Sequence, residues 1–192
     1  MKREINCLLA AVAIAATSMA ASAQSVIVGQ DFEGSDFPPQ GWVAIDNDGD
    51  GSGWMAQSGA SYVTQYSGSK QLAISYTRDP ASYSAKKAQD NWLVSPAFEV
   101  TNPQFVLQFV YAAQDLENTE PMSVLVSEGG SEAGDFVELW STTADNGYDD
   151  DIVWSTATRS LKNYEGKTIR VAVRHKASST YGLSIDNFYI LN

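Results

Sequence analysis

From Thr168 to Lys176 the chain alternates: Ile169, Val171 and Val173 fall on one side of an extended segment, and Arg170, Arg174 and Lys176 on the other. Successive side chains of a strand point to opposite faces, so this pattern predicts a strand with one buried face. Phe105 to Tyr111 repeats it, with Phe105, Leu107, Phe109 and Tyr111 set against Val106, Gln108 and Val110. Further strands are readable in SVIVGQDF, GWVAI, KQLAISY, NWLVSPAFEV, MSVLVSE, DFVELWST, DIVWSTATRSL and YGLSIDNFYIL. Gly, Asn, Asp and Ser gather between them, as turns require. No long stretch keeps the period of a helix. The expected fold is all-β, a two-sheet jelly-roll β-sandwich of at least eight strands.

Residues 1–23 depart from this pattern. A basic Met1-Lys2-Arg3 start leads into the apolar CLLAAVAIAA and then the small residues of ATSMAASAQ. That order reads as a signal peptide cleaved after Ala23, too short for a stable membrane anchor. Residues 24–192 are then expected to form a single domain, secreted to an extracellular or periplasmic location. No later apolar run approaches the roughly 18 residues a spanning helix needs, so no membrane insertion is expected. The last strand runs to the end of the sequence, so no anchor is expected after it.

The sequence is 192 residues long and 44% hydrophobic, which suits one well-buried core. Its only cysteine, Cys7, lies in the leader, so no disulfide is expected in the secreted part. The formal net charge is −11, and loss of the leader's excess positive charge makes the remainder more acidic. Binding to nucleic acid or to anionic lipid needs clustered cations, so neither is an expected partner. A secreted domain without disulfides gains stability from any metal that binds its native state alone.

AIDNDGDGSGW, from Ala44 to Trp54, supplies the ligands for such a metal. Asp46, Asp48 and Asp50 occupy alternate positions with no Lys or Arg among them. Carboxylates so spaced converge on a hard cation such as calcium, which takes six to eight oxygens. With Gly51 they match the opening D-x-D-x-D-G of an EF-hand loop, but the twelfth position is Gln57 where a bidentate Glu is required, and the flanks read as strands. The stretch is therefore not an EF-hand. Its first half remains either a calcium cradle completed from elsewhere in the fold or a solvated Asp/Gly turn, and the crowding of charge favours the cradle. Glu33, after the first strand, and Asp186, inside the last, are two further isolated carboxylates. If those strands are neighbours, the two carboxylates can share a cation.

The order DFEGSDFPPQGWVAIDNDGDGSGW, DNWLVSPAFEV, FVYAAQDLENTEPMSVLVSE and IRVAVRHKASSTYGLSIDNFYI resembles the cleaved-adhesin, or choice-of-anchor J, domain family. That family includes the haemagglutinin/adhesin modules of gingipain-type bacterial proteases. The likeness covers roughly Asp31 to Leu191 and rests on the order of its marks. It implies a jelly roll with adjacent first and last strands, carrying structural calcium and serving to bind an extracellular protein or glycan. It makes Glu33, Asp46, Asp48, Asp50 and Asp186 metal candidates, with Asp90 of QDNWLVSP a weaker one. Asp115 and Glu120 of AQDLENTEP also match the family pattern, either as metal ligands or as residues that fix a loop.

Little else points to chemistry. His175 shares the face of Ile169, Val171 and Val173, and without a cysteine, a G-x-S-x-G elbow or an H-E-x-x-H motif it reads as a hydrogen-bonded structural histidine. No catalytic residue is expected. Asp149, Asp150 and Asp151 read as a solvated loop. Trp54, Tyr62, Tyr66, Tyr83, Trp140 and Tyr148 lie in or beside loops, as core packing or as rings that stack on a sugar or protein. The leading function is a secreted, calcium-stabilised adhesin-type binding domain. A carbohydrate-binding module for polysaccharide is second, and a small glycoside-active enzyme using paired carboxylates third.

Overall fold

Residues that alternate in the sequence sort onto two facing sheets in the computed structural model, which describes residues 24–59, 63–78, 88–147, 151–178 and 180–192. The leader expected at 1–23 lies outside these residues. The strands are β1 (Val26–Gln30), β2 (Val43–Asp46), β3 (Met55–Ser58), β4 (Gln71–Tyr76), β5 (Gln89–Val94) and β6 (Phe98–Glu99). They continue with β7 (Val106–Ala113), β8 (Glu120–Ser127), β9 (Val137–Ala144), β10 (Ser155–Ser160), β11 (Thr168–Ala177) and β12 (Gly182–Leu191). Helix among the described residues is confined to two 3-10 turns, Ala133–Asp135 and Lys162–Tyr164.

The first sheet runs β10-β7-β12-β4-β3, with β1 also paired to β12; the second runs β2-β5-β11-β8-β9, with β6 also paired to β11. The expected all-β sandwich, with its first and last strands adjacent, is what forms. Two strands escape the sequence pattern. Met55–Ser58 has no alternation to betray it, and NWLVSPAFEV divides into β5 and β6. The division falls at Ser95-Pro96, where proline has no N–H to donate to a ladder. Ser95 bridges the gap by exchanging hydrogen bonds with Val171 through its amide (2.8 Å) and hydroxyl (3.0 Å).

The inner faces meet in a core that joins Leu107, Phe109, Leu183, Ile185 and Phe188 of the first sheet to Leu93, Val124, Ile169, Val171 and Val173 of the second. Parts of both outer faces are covered as well. Leu72, Ile74 and Tyr76 pack with Val63, Tyr181 and Trp154, while Trp92, Val94 and Leu125 pack with Phe136. Strands β4 and β5 are therefore buried on both sides, which is why KQLAISY and NWLV read as apolar runs rather than alternations.

β12 organises the first sheet. One of its edges follows β7 throughout, while the other pairs Gly182–Ile185 with β4 and then Phe188–Leu191 with β1. The changeover falls at Asp186-Asn187. There the register with β7 shifts and Asn187 takes a positive φ of 49°. A bulge of this kind re-aims the side chains beside it, and it leaves a charged residue at a break in the sheet edge.

Candidate metal centre and buried network

Asp46 ends β2, and the chain then curls back over its carboxylate. Oδ1 accepts the amides of Gly49 (2.8 Å) and Asp50 (3.3 Å), and Oδ2 accepts that of Gly51 (2.8 Å). Gly49 and Gly51 adopt φ of 70° and 81°, the left-handed region that glycine enters without penalty, and this turns the amides inward. The loop brings one ligand atom from each of Asp46, Asp48 and Asp50 within 4.8 Å of one another. Burial pushes the Asp48 carboxyl upward, and the hydrogen bond it shares with Asp46 and the charge of Asp50 push it further. Burial acts in the same sense on Asp46 but is outweighed by hydrogen bonds from Asp48 and the three amides, which hold it below the ordinary range. The three carboxylates crowd like charge into one short loop. A hard cation seated among them would neutralise that charge and relieve the repulsion, so the donor set fits calcium. Gln57, the failing EF-hand position, sits in β3 with its amide donating to the Ser58 carbonyl.

The second pair of carboxylates meets at the break in the first sheet. Asp186 is fully buried; one carboxylate oxygen accepts the Asn187 amide at 2.6 Å, and the other has no partner among the described residues. Glu33 accepts the amides of Lys70 (2.6 Å) and Gln71 (3.1 Å). Burial pushes the Asp186 carboxyl up to about 6, against the hydrogen bond from Asn187, and the charges of Glu33 and Asp31 add to the rise. A buried carboxylate oxygen with no donor, under two further negative charges, is the environment that a cation compensates.

Asp90 is employed otherwise. Oδ1 accepts Arg174 Nε (2.6 Å) and the Trp92 indole (3.0 Å), and Oδ2 accepts Arg174 Nη2 (2.7 Å) and the Asn47 amide (3.0 Å). Those four donors saturate it, so Asp90 anchors the acidic loop through Asn47 and is a poor cation ligand. Gln89, beside it, donates to Asp50 at 3.1 Å. Asp115 fixes a loop, accepting the Glu117 amide (2.9 Å) and the Asn118 side chain (2.7 Å).

Glu120 and His175 belong to a network the sequence did not reveal. Both are fully buried, as is Ser75. His175 Nδ1 lies 2.8 Å from Ser75 Oγ, and Nε2 lies 3.0 Å from Glu120 Oε2. Asn91 donates to Ser75 (3.1 Å), while Glu120 also accepts the Thr180 hydroxyl (2.7 Å) and the Tyr181 amide (2.9 Å). The tautomer with its proton on Nε2 lets each group donate to the next, from the Asn91 NH2 through Ser75 and His175 to Glu120, while Asn91 Oδ1 is buried with no partner among the described residues. A serine, a histidine and an acid are thus aligned, but all three are sealed from solvent, and their arrangement pins the β11–β12 connection.

Of the aromatic candidates, Trp54 is buried in the core and Trp140 packs against it under Arg159, whose guanidinium lies 3.6 Å from the ring centre. Tyr66 is half-buried, edge-on to Trp154 at 5.5 Å. Tyr62, Tyr83 and Tyr148 lie outside the described residues, as do Asp149 and Asp150.

An antiparallel sandwich, with twelve strands among the described residues and an acidic loop at a sheet edge, defines a β-sandwich module. Residues 26–190 match the family model of the Cleaved Adhesin Domain, and the chain belongs to that family. Gingipain R1 of Porphyromonas gingivalis is 31% identical over 107 residues, a segment that makes up 55% of this chain and 6% of gingipain R1. The chain thus spans only a small part of the curated relatives it matches. The K1 cleaved adhesin domain of Lys-gingipain from P. gingivalis W83 superposes with a TM-score of 0.73 at 25% identity, covering 88% of this chain and 98% of K1. A family 61 carbohydrate-binding module in complex with β-1,4-galactotriose shares the fold, at a TM-score of 0.54, 15% identity, and 83% and 92% coverage.

Proposed function

We propose that this chain is a secreted, calcium-stabilised adhesin-type domain that binds an extracellular protein or glycan and transforms neither. Membership of the cleaved adhesin family, over nearly the whole described chain, carries this reading. Calcium would be held by Asp46, Asp48 and Asp50, and a second cation by Glu33 and Asp186. Saturating oxygen ligands suit a metal that stiffens loops rather than one that presents an open position to a substrate. The buried state of Ser75, His175 and Glu120 supports a binding role over hydrolysis, since a nucleophile must meet its substrate. A carbohydrate-binding module for polysaccharide is the second reading, supported by the likeness of fold to the galactotriose-binding module.

The test is a binding screen of the purified chain, in calcium, against extracellular-matrix proteins, haem proteins and a glycan array. Saturable binding to a protein or a glycan is expected. Turnover of any screened ligand, or its release in altered form, would overturn the reading.

A further inference from the structure

We propose that a cleft on the outer face of the first sheet binds a neutral pyranose unit of a glycan; the inference rests on the adhesin-type reading above and assigns its ligand class and location. The cleft has a volume of about 290 Å³ and lies over β7, β10 and β12. That is just under the usual range for ligand pockets and leaves room for one sugar ring.

Its lining is what a sugar requires. Gln108 of β7 lies opposite Tyr189 of β12, and Thr156 of β10 lies opposite Val110 of β7, so these side chains are neighbours across the strands. The bulge at Asn187 brings a further amide to the same face. Tyr189 donates its hydroxyl to Asn187 Oδ1 at 3.2 Å, which orients that amide and leaves its NH2 to donate elsewhere. Gln108 and Thr156 have no side-chain partner among the described residues. Tyr66 forms a wall from the loop above, its ring held edge-on by Trp154 at 5.5 Å. A fixed aromatic ring offers a face to the C–H groups of a pyranose at little entropic cost, and amides and hydroxyls match its OH groups.

Charge selects the kind of sugar. Among the described residues, no Lys or Arg lines the cleft. A carboxylated or sulfated sugar would find no cation to pair with there, whereas a neutral one needs none.

The experiment screens the full chain, in calcium, on an array of neutral and uronic-acid oligosaccharides, then titrates the tightest neutral binder by calorimetry. Tyr66→Ala and Gln108→Ala are each expected to weaken it about tenfold, with Tyr66→Phe close to the parent, because the ring face and not its hydroxyl makes the contact. Thr142→Ala, on the second sheet, should change nothing. Melting temperatures identify any variant that has lost its fold, and the half-exposed Gln108 keeps the test open if Tyr66→Ala is destabilised. Unchanged affinity in folded Tyr66→Ala and Gln108→Ala overturns the location while leaving the adhesin-type reading intact. Binding to a protein with no neutral glycan bound overturns the glycan class. A preference for uronic acids overturns the charge argument, and with it the proposal.

Discussion

Replacing Glu120 by glutamine probes the buried network with the smallest change of shape. The parent carboxylate accepts three donors: Tyr181 N–H on Oε1, and His175 and Thr180 on Oε2. Glutamine must place an NH2 at one of these oxygens. At the Oε2 position it would oppose two donors, so it should occupy the Oε1 position and face the Tyr181 amide. One hydrogen bond to a charged acceptor is then lost and a buried N–H is left unpaired, at a cost of about 1.5–3 kcal/mol. For a domain of this size, at about 2–4 °C per kcal/mol, melting should fall by roughly 3–12 °C. Calorimetry at neutral pH measures it, with a urea titration to check that the m-value is unchanged. Glu120→Ala strands all three donors and opens a cavity, so it should cost more than glutamine. A Glu120→Gln variant melting within about 1 °C of the parent would refute the reasoning, because the donors would then have found other acceptors.

How much of this was legible in the sequence depended on distance along the chain. β7 and β11 could be read because each buries one face and exposes part of the other. β4 and β5 showed as strands but not as alternations, because loops cover their outer faces as well. β3 carried no signal, since MAQS forms a strand only where β4 offers a partner. The acidic loop was legible because its three carboxylates lie within five residues. Glu33 and Asp186 required the further step of placing the first strand beside the last. Ser75, His175 and Glu120 could not be joined, being separated by 100 and 55 positions; the available signals were a histidine on an apolar face and a glutamate at the head of a strand. Asp90 entered as a weaker metal candidate through the family resemblance, and its ion pair with Arg174 could not be seen because that residue lies on another strand. The register pairs Arg174 with Trp92, and only that register puts the guanidinium within reach of Asp90.

Three further outcomes are expected. His175→Gln should lower melting, because one amide cannot serve both Ser75 and Glu120, yet leave ligand affinity within about threefold, measured by calorimetric titration. At Asp90, burial raises the carboxyl, but the hydrogen bonds from Arg174 and Asn47 outweigh it and hold the group below its usual value of 3.8. Stability from that pair is therefore present above the unfolded value and lost as pH falls through the folded one, so urea midpoints should drop below about pH 4 and Arg174→Gln should flatten the drop. An unchanged slope in Arg174→Gln would count against the pair. The last concerns calcium, whose binding to the native chain alone, at a hundredfold above Kd, contributes about 2.7 kcal/mol. That is a melting shift of roughly 5–10 °C, abolished by chelator and restored by calcium better than by magnesium, whose small octahedral shell suits this exposed loop less well. Asp48→Ala should remove the loop's share of the response, since it deletes a ligand that faces solvent and touches no core residue. Identical melting in chelator and in millimolar calcium would reduce Asp46, Asp48 and Asp50 to a polar turn, its charge met only by water and by the amides of Gly49, Asp50 and Gly51.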